Sequence, residues 1–313
     1  MTNKKYLTNI FLTLLSLNLL VACSDSTDIN SAGGGRGGTQ NGFLSLGITD
    51  APIDDAAEVW VQFDGVVLKP FSALSPITLS FPTPMNINLL ALQGQNSMQM
   101  LVDETLPADS YEWLRLNVTA ADDGVQDSYI KLKDNSVHEL NIPSGSESGL
   151  KIVGGLEVIA NTPTSMTIDF DLRKSITLTG SGKYELSPVL KLVNNAETSS
   201  LVGTVEPLAI TDPGCSDADP STGNAIYLYD GFNVVPDDID NTDPDPVASA
   251  LVTLNNTTGA YEYSFGFIPF GDYTAAFTCQ ADLEDPANDD IITFSGAQNV
   301  TLTSTTLPVN ISR

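Results

Sequence analysis

The loop at residues 236–246 carries the side chains with the clearest chemical potential. It reads Pro-Asp-Asp-Ile-Asp-Asn-Thr-Asp-Pro-Asp-Pro. Calcium takes six to eight oxygen ligands, and closely spaced Asp and Asn side chains on a turn supply oxygens of this kind. The candidate calcium ligands are Asp238, Asp240, Asp243 and Asp245. Their order does not match an EF-hand, which needs a Gly at its sixth position and a Glu at its twelfth.

A second acidic cluster follows in the same part of the chain, at Asp282, Glu284, Asp285, Asp289 and Asp290. Because acids are so frequent here, an exposed acidic turn without a metal explains the first loop equally well. Glycine-rich phosphate loops preceded by a strand and followed by a helix are absent from the sequence. We therefore expect no cofactor other than this hypothetical calcium ion.

Groups suited to catalysis are few. His138 is the only histidine, so a Ser-His-Asp triad would have to use it, and a zinc site with several histidines cannot be built. Asp169 and Asp171 lie two residues apart on one strand face, ~6.5–7 Å between Cα atoms, which loosely suits a glycosidase pair. Arg173 and Lys174 follow them, and a ladder of charges that keeps a strand face soluble explains the same pattern. A half-buried or exposed strand position is the simpler interpretation of His138, and we predict no catalytic residue.

The N-terminus has the anatomy of a secretory signal. Lys4 and Lys5 precede an apolar run of 11 residues from Ile10 to Leu20. This run is shorter than the ~20 apolar residues that cross a bilayer. The following Val21-Ala22-Cys23 completes a Leu-Val-Ala-Cys ending that resembles a bacterial lipobox. The resemblance implies cleavage before Cys23, which then carries the lipid, and Ser24 in place of an Asp favours the outer membrane.

The other two cysteines then form a natural pair. With Cys23 acylated, Cys215 and Cys279 remain in an exported chain, where such a pair most often forms a disulfide. No free thiolate is left to act as a nucleophile.

Charge limits the kind of partner. Loss of residues 1–22 removes two lysines and no acid, which leaves 11 basic and 39 acidic residues, a net charge of -28. Such a chain repels nucleic acid, so we expect none as a partner. The apolar content of 42% is sufficient for packed cores, and about 290 mature residues predict two domains.

Residues 23–41 are predicted to hold the lipidated cysteine and a glycine-rich flexible tether.

Residues 42–196 form a predicted β-sandwich domain with period-two alternation of apolar and polar residues. In this region Leu114, Leu116 and Val118 point one way and the polar residues between them the other, as in a sandwich with one buried and one wet face. The same holds from Met166 to Arg173. The predicted strands are Phe43–Thr49, Glu58–Lys69, Tyr111–Ala120, Tyr129–Lys133, Ser165–Leu172 and Tyr184–Val193. A hairpin is predicted at residues 180–183, and a short helix at Asn88–Leu92.

Several phrases of this region follow one another in a fixed order. They are Ile48-Thr49-Asp50-Ala51-Pro52, Leu106-Pro107-Ala108-Asp109-Ser110-Tyr111, Ile142-Pro143-Ser144-Gly145, Ile168-Asp169-Phe170-Asp171 and Leu186-Ser187-Pro188-Val189-Leu190. The segment resembles the domain of unknown function 4382 family of bacterial lipoproteins. The resemblance implies an envelope compartment and a β fold, but no activity. Asp109-Ser110 departs from the family, which usually has a Gly before the Tyr.

Residues 197–313 form a second predicted β-sandwich with a different surface. They hold 18 acids and one basic residue, a net charge of -17, against -10 for residues 42–196. Phe267–Tyr273 resembles the loop-to-strand signature of transthyretin-like or carboxypeptidase-regulatory-like sandwiches. The predicted strands are Leu201–Val205, Ala225–Tyr229, Ala250–Leu254, Ala260–Phe267, Tyr273–Cys279, Ile291–Phe294, Val300–Thr303 and Leu307–Ile311.

The sequence therefore predicts an all-β chain with two β-sandwich-like domains behind a lipid anchor. The leading hypothesis is a non-enzymatic envelope protein that presents these domains to a protein or glycan partner. A second hypothesis is a carboxylate-dependent hydrolase of envelope polysaccharide, in which Asp169 and Asp171 would line a cleft with aromatic walls such as Trp60 or Trp113. A third is a calcium-dependent adhesion module.

Overall fold

Alternating apolar and polar residues produce β-strands along most of the described part of the chain. The computed structural model describes residues 40–51, 56–142, 150–187, 189–212, 214–215, 221–305 and 308–312. The predicted signal peptide, the lipid-attachment residue Cys23 and the tether up to residue 39 lie outside the described residues.

The strands and helices have the following bounds. The first part of the chain contains β1 Asn41–Ala51, β2 Ala56–Pro70, β3 Ile77–Asn88, β4 Met98–Pro107, β5 Asp109–Thr119, β6 Tyr129–Leu132, β7 Val137–Asn141, β8 Leu150–Val158, β9 Pro163–Asp171, α1 Leu172–Ser175, β10 Ile176–Leu178, β11 Tyr184–Leu186 and β12 Val189–Asn194. The second part contains β13 Thr198–Val205, α2 Pro207–Ile210, β14 Ala225–Asp230, β15 Ala248–Leu251, β16 Thr253–Leu254, β17 Tyr261–Pro269, β18 Gly271–Thr278 and β19 Phe294–Leu302. Short 3-10 helices cover Leu89–Leu92, Asn195–Glu197 and Ala281–Leu283.

Residues 41–194 form the first sandwich. One sheet has the strand order β12-β9-β1-β4, and the other has the order β10-β11-β7-β6-β2-β5-β8, with β3 also paired to β2. Strand β1 runs parallel to β9 and antiparallel to β4. The alternation predicted from the sequence fills the space between the sheets, since Leu114, Leu116 and Ile168 are buried in one common core.

Residues 198–311 form the second sandwich, in which a β13-β17-β16 sheet faces a β15-β14-β18-β19 sheet. Leu201, Ile226 and Phe265 belong to the core between the two sheets. A smaller apolar cluster lies on the other face of β14 and β18, where Tyr227 and Tyr229 pack against residues that include Ile239. The acidic segments therefore cover one face of this sheet.

The predicted disulfide is present between Cys215 and Cys279, with Cα atoms 5.4 Å apart. The two residues are separated by 64 positions in the chain. Closing a loop of this length stabilises the fold by about 4 kcal/mol in the chain-entropy model. The bond fixes the end of β18 next to the second acidic segment.

The same tyrosine contact occurs where the chain crosses between sheets in each sandwich. The Tyr111 hydroxyl donates to the Pro107 carbonyl at 2.9 Å, between β4 and β5. The Tyr273 hydroxyl donates to the Pro269 carbonyl at 2.9 Å, between β17 and β18. Both contacts resemble the tyrosine corner of immunoglobulin-like sandwiches.

The structure differs from the predicted strands at several places. Strand β3 contains Pro82 and Pro84, which argue against a central strand, and it lies at an edge beside β2. The predicted strand Tyr184–Val193 divides into β11 and β12, which belong to different sheets. In the last predicted strand, the described residues 308–311 form only an isolated bridge between Ile311 and Val205.

The two sandwiches touch at a glycine-to-glycine contact. A Cβ atom at Gly266 of β17 would lie 2.2 Å from the carbonyl oxygen of Gly94. Beside it, the Gln95 side chain donates from Nε2 to Oγ of Ser264 at 3.3 Å. Residues Thr39–Arg313 accordingly group as one compact unit.

We expect Gly266→Ala to destabilise the protein by about 1–3 kcal/mol, because backbone atoms of both sandwiches would have to separate to admit the methyl group. Urea unfolding followed by tryptophan fluorescence measures this loss. Gly180→Ala is the matched control, since a Cβ there meets no atom within 4 Å. Equal unfolding midpoints for the two variants would contradict the tight glycine contact.

Candidate functional site

A cleft of about 580 Å³ lies between the two sandwiches. On the side of the first sandwich it is lined by the ends of β1 and β9 and by residues 93–95. On the opposite side it is lined by β15 and β17 and by Asn310. We call this space the interdomain cleft. Ligand sites form preferentially at domain interfaces and have volumes of about 300–1,000 Å³.

The lining of the interdomain cleft is strongly acidic. Its carboxylates are Asp50, Asp169, Asp171 and Glu262, and no lysine or arginine is among the described lining residues. Serine hydroxyls and the side-chain amides of glutamine and asparagine complete the polar surface. Such a lining attracts a cation and repels phosphate or carboxylate groups.

Asp169 is a cleft carboxyl whose pKa is shifted upward. Burial raises its pKa to about 6, and Asp171 raises it further, while Lys191 on the neighbouring strand β12 opposes the shift. The Asp169 side chain is therefore half-protonated near pH 6 and mostly ionised at pH 7.

Two other cleft acids are held by hydrogen bonds. The Asn255 and Thr258 side chains donate to Glu262 at 2.9 Å each, and they lower its pKa. The Asp171 carboxylate accepts from the backbone N–H of Lys174 at 3.2 Å, which caps α1. Both carboxylates are thereby fixed in orientation.

The prediction that the polar side chains of β9 and of the following Arg173 face water is wrong at two positions, Thr167, which is fully buried, and Arg173. Arg173, directly after β9, is only 6% exposed. It donates from Nη1 to the Tyr227 hydroxyl of the second sandwich at 2.7 Å. The same alternation that predicts a wet face also describes a face covered by another domain, so the sequence pattern could not separate the two.

This arginine begins a chain of contacts into the second sandwich. The Tyr227 hydroxyl donates to Oε2 of Glu284 at 2.5 Å, and the backbone N–H of Ile239 donates to Oε1 at 2.9 Å. Glu284 is partly buried, and burial raises its pKa while these hydrogen bonds oppose the shift. Glu284 thus joins the two acidic segments of the chain.

The structure brings carboxylates of both acidic segments together around Asp238. One group of carboxylate oxygens joins Asp238 to Glu284 and Asp290, and an overlapping group joins it to Asp240 and Asp289. Within each group the oxygens lie within 4.8 Å of one another. We call these five residues the acidic cluster.

The predicted calcium ligands divide between different places. Asp238 and Asp240 belong to the acidic cluster. Asp243 lies outside both carboxylate groups, and Asp245 forms an ion pair with Lys174 of the first sandwich. Glu284, Asp289 and Asp290 are recognisable in the sequence as a second acidic cluster, but no sequence pattern predicts that they lie beside the first loop. The available signal was that each acidic segment borders a strand of the same predicted sandwich.

Asp238 is the most enclosed member of the acidic cluster, with 1% of its surface exposed. Its Oδ2 accepts from the backbone N–H of Asp290 at 2.6 Å. Its Oδ1 is buried and accepts no hydrogen bond from the described residues. A buried carboxylate oxygen without a donor is costly, since buried charges are normally paired or bound to a metal.

The remaining candidates lie away from the interdomain cleft. His138 packs against Tyr184 with ring centroids 5.0 Å apart, and its Nε2 is 3.1 Å from Oγ of Ser136. Trp60 stacks with Tyr129, and Trp113 lies under the Lys151 ammonium. Neither tryptophan is among the cleft residues.

Among the described residues, no helix combines the length and apolar character needed to cross a membrane.

The fold and this site define an all-β protein whose two sandwiches enclose an acidic cleft. Residues 41–188 match the family described as Domain of unknown function (DUF4382), and this part of the chain belongs to that family. No curated protein matches the sequence. Among solved structures, the Bacillus anthracis TIE protein is similar at 12% identity, over 88% of this chain and 33% of that chain, with a TM-score of 0.16. The chain spans about a third of that structure, and so low a score carries no argument.

We expect Asp169→Asn to stabilise the protein above pH 6. An acid whose pKa rises from 3.8 to about 6 binds more protons in the folded state, so the free energy of unfolding falls as pH rises through this window. Asparagine removes the penalty, about 1–2 kcal/mol after allowance for screening by water in the cleft. Chemical unfolding at pH 4 and pH 7.5 measures the difference. The exposed Asp230→Asn serves as control, and equal stability of wild type and Asp169→Asn at both pH values would contradict the expectation.

Proposed function

We propose that this protein is a non-enzymatic, lipid-anchored protein of the bacterial cell envelope that binds a partner in the interdomain cleft. The observation that supports this proposal is the cleft itself, which both sandwiches line with oriented polar groups. Asp169 strengthens the case, because a carboxyl that destabilises the free protein is typical of a site kept for function.

The acidic lining favours a cationic partner. Asp169, Asp171 and Glu262 face the same space, and no basic side chain is among the described lining residues. Lys191 on the neighbouring strand offsets part of the charge of Asp169. A lysine or arginine side chain of a protein segment would satisfy these carboxylates with charge-assisted hydrogen bonds. A neutral glycan would gain only ordinary hydrogen bonds there. We therefore propose a basic segment of another envelope protein as the partner.

The anchor part of the proposal rests on Cys23 and the apolar run before it. Cys23→Ser should move the protein from the membrane fraction to the soluble fraction, because the acyl chains supply the membrane affinity. Fractionation of cells followed by immunoblotting measures this. Ser24→Ala, which leaves the cysteine in place, is the control. Retention of the Cys23→Ser protein in the membrane fraction would refute lipid anchoring.

We expect a labelled tetralysine peptide to bind the protein at about 0.15 M salt, with affinity that increases between pH 5 and pH 7 as Asp169 ionises. Fluorescence anisotropy measures the dissociation constant. Asp169→Asn should weaken binding about five- to tenfold at pH 7, roughly the effect of one partly screened charge. Asp230→Asn removes the same net charge from an exposed site and should leave binding unchanged. Equal weakening by both variants would show general attraction to an acidic protein instead of a cleft.

A hydrolase of envelope polysaccharide is the second candidate. The raised pKa of Asp169 beside the carboxylate Asp171 supports it, since a glycosidase pairs a protonated acid with an ionised one. Tryptophan walls do not line the interdomain cleft, which favours the binding function. Turnover of aryl glycosides by the wild type that is abolished in Asp169→Asn would establish the hydrolase.

A further inference from the structure

The acidic cluster lies outside the interdomain cleft and carries a separate inference. Its five carboxylates come from the two segments that cover one face of β14 and β18. A group of acids alone is not evidence for a ligand, because exposed acidic loops are common. Asp238 supplies the independent observation: it is 1% exposed, and its buried Oδ1 accepts no hydrogen bond from the described residues.

The spacing of the oxygens fits calcium. Calcium–oxygen bonds are about 2.3–2.6 Å long, so two ligands of one ion lie up to about 5 Å apart. The carboxylate oxygens in each group lie within 4.8 Å of one another. Each group supplies three carboxylates, and the two groups share Asp238. Since the ligands are all oxygens, the site suits a hard divalent cation that completes its coordination with backbone carbonyls or water.

The protein has few cations of its own to neutralise this cluster. Residues 197–312 contain no lysine, arginine or histidine. Arg173 and Lys174 reach this region from the first sandwich: Arg173 donates to Tyr227 and lowers the pKa of Glu284, and Lys174 pairs with Asp245. These two cations stand against five clustered carboxylates. Like charges held this close repel one another unless a bound cation or protons offset them.

We propose that the acidic cluster binds one calcium ion, with Asp238 as the shared buried ligand, Glu284 and Asp290 on one side and Asp240 and Asp289 on the other. The ion joins the two acidic segments. Because Glu284 also accepts from Tyr227, the ion supports the contact between Tyr227 and Arg173 of the first sandwich. This inference is independent of any ligand in the interdomain cleft.

Calorimetric titration of the whole, EDTA-treated protein with calcium chloride tests the site. We expect one ion per chain, with a dissociation constant in the micromolar to millimolar range. Asp238→Asn should weaken binding at least tenfold. Asp243→Asn is the matched control, since this neighbouring acid lies outside both carboxylate groups. No binding to wild type, or wild-type affinity in Asp238→Asn, would overturn the proposal.

A second variant keeps the test decisive if Asp238→Asn does not fold. Asp240 is half-buried and Asp289 is exposed, so the Asp240→Asn/Asp289→Asn double variant should keep the fold. Weaker calcium binding by this variant supports the site, and unchanged binding overturns it.

Hydrogen exchange with and without calcium tests the link between the sandwiches. We expect calcium to slow exchange at residues 236–246 and 281–290, and also in α1 at Leu172–Ser175. Slower exchange in the two acidic segments without any effect in α1 would refute the link while leaving the ion site intact.

Terbium luminescence provides a further check on the ion site. Tyr227 and Tyr229 should excite the emission of bound terbium, and calcium should abolish this emission by displacing the terbium ion.

Discussion

The buried contact from Arg173 to Tyr227 is the interaction on which the relation between the two sandwiches depends. An arginine enclosed by protein must be paired, because its desolvation costs several kcal/mol. The Tyr227 hydroxyl accepts a hydrogen bond from Arg173 and donates one to Glu284. It therefore links a cation of the first sandwich to a carboxylate of the second. Removing Tyr227 would break the hydrogen bonds to both Arg173 and Glu284.

The two sandwiches differ in charge, so basic residues of the first sandwich pair with polar and acidic groups of the second. The second sandwich has almost no basic residues, and the cations that reach its acidic segments, Arg173 and Lys174, come from α1 of the first. The same helix is capped by Asp171, which also lines the interdomain cleft. A short helix after β9 therefore connects the cleft to the acidic segments.

The sequence predicted the elements whose pattern is local. Alternation in Leu114–Thr119 and the Gly180–Lys183 turn identified β5 and the β10–β11 hairpin correctly. Pro82 and Pro84 concealed β3, because proline is compatible with an edge strand but does not predict one. The family was recognisable from short phrases, which also placed Asp169 and Asp171 on one strand.

The candidate site was predicted only in part, since its parts meet across long chain separations. The calcium hypothesis named Asp238 and Asp240, but nothing local indicated that Glu284, more than 40 residues later, lies beside them. The cleft was hidden for the same reason. Period-two alternation gives the face on which Asp169 lies, yet it does not state whether water or another domain covers that face.

The two tyrosine corners indicate where consecutive strands of this chain pass from one sheet of a sandwich to the other. Tyr111 and Tyr273 each bind the carbonyl of a proline four residues earlier, at a point where consecutive strands belong to opposite sheets. Ordinary hairpins keep both strands in one sheet, and strand periodicity is the same in either case. The recurring phrase of an aliphatic residue, proline, three residues and tyrosine therefore marks a change of layer, which is topological information that alternation alone does not contain.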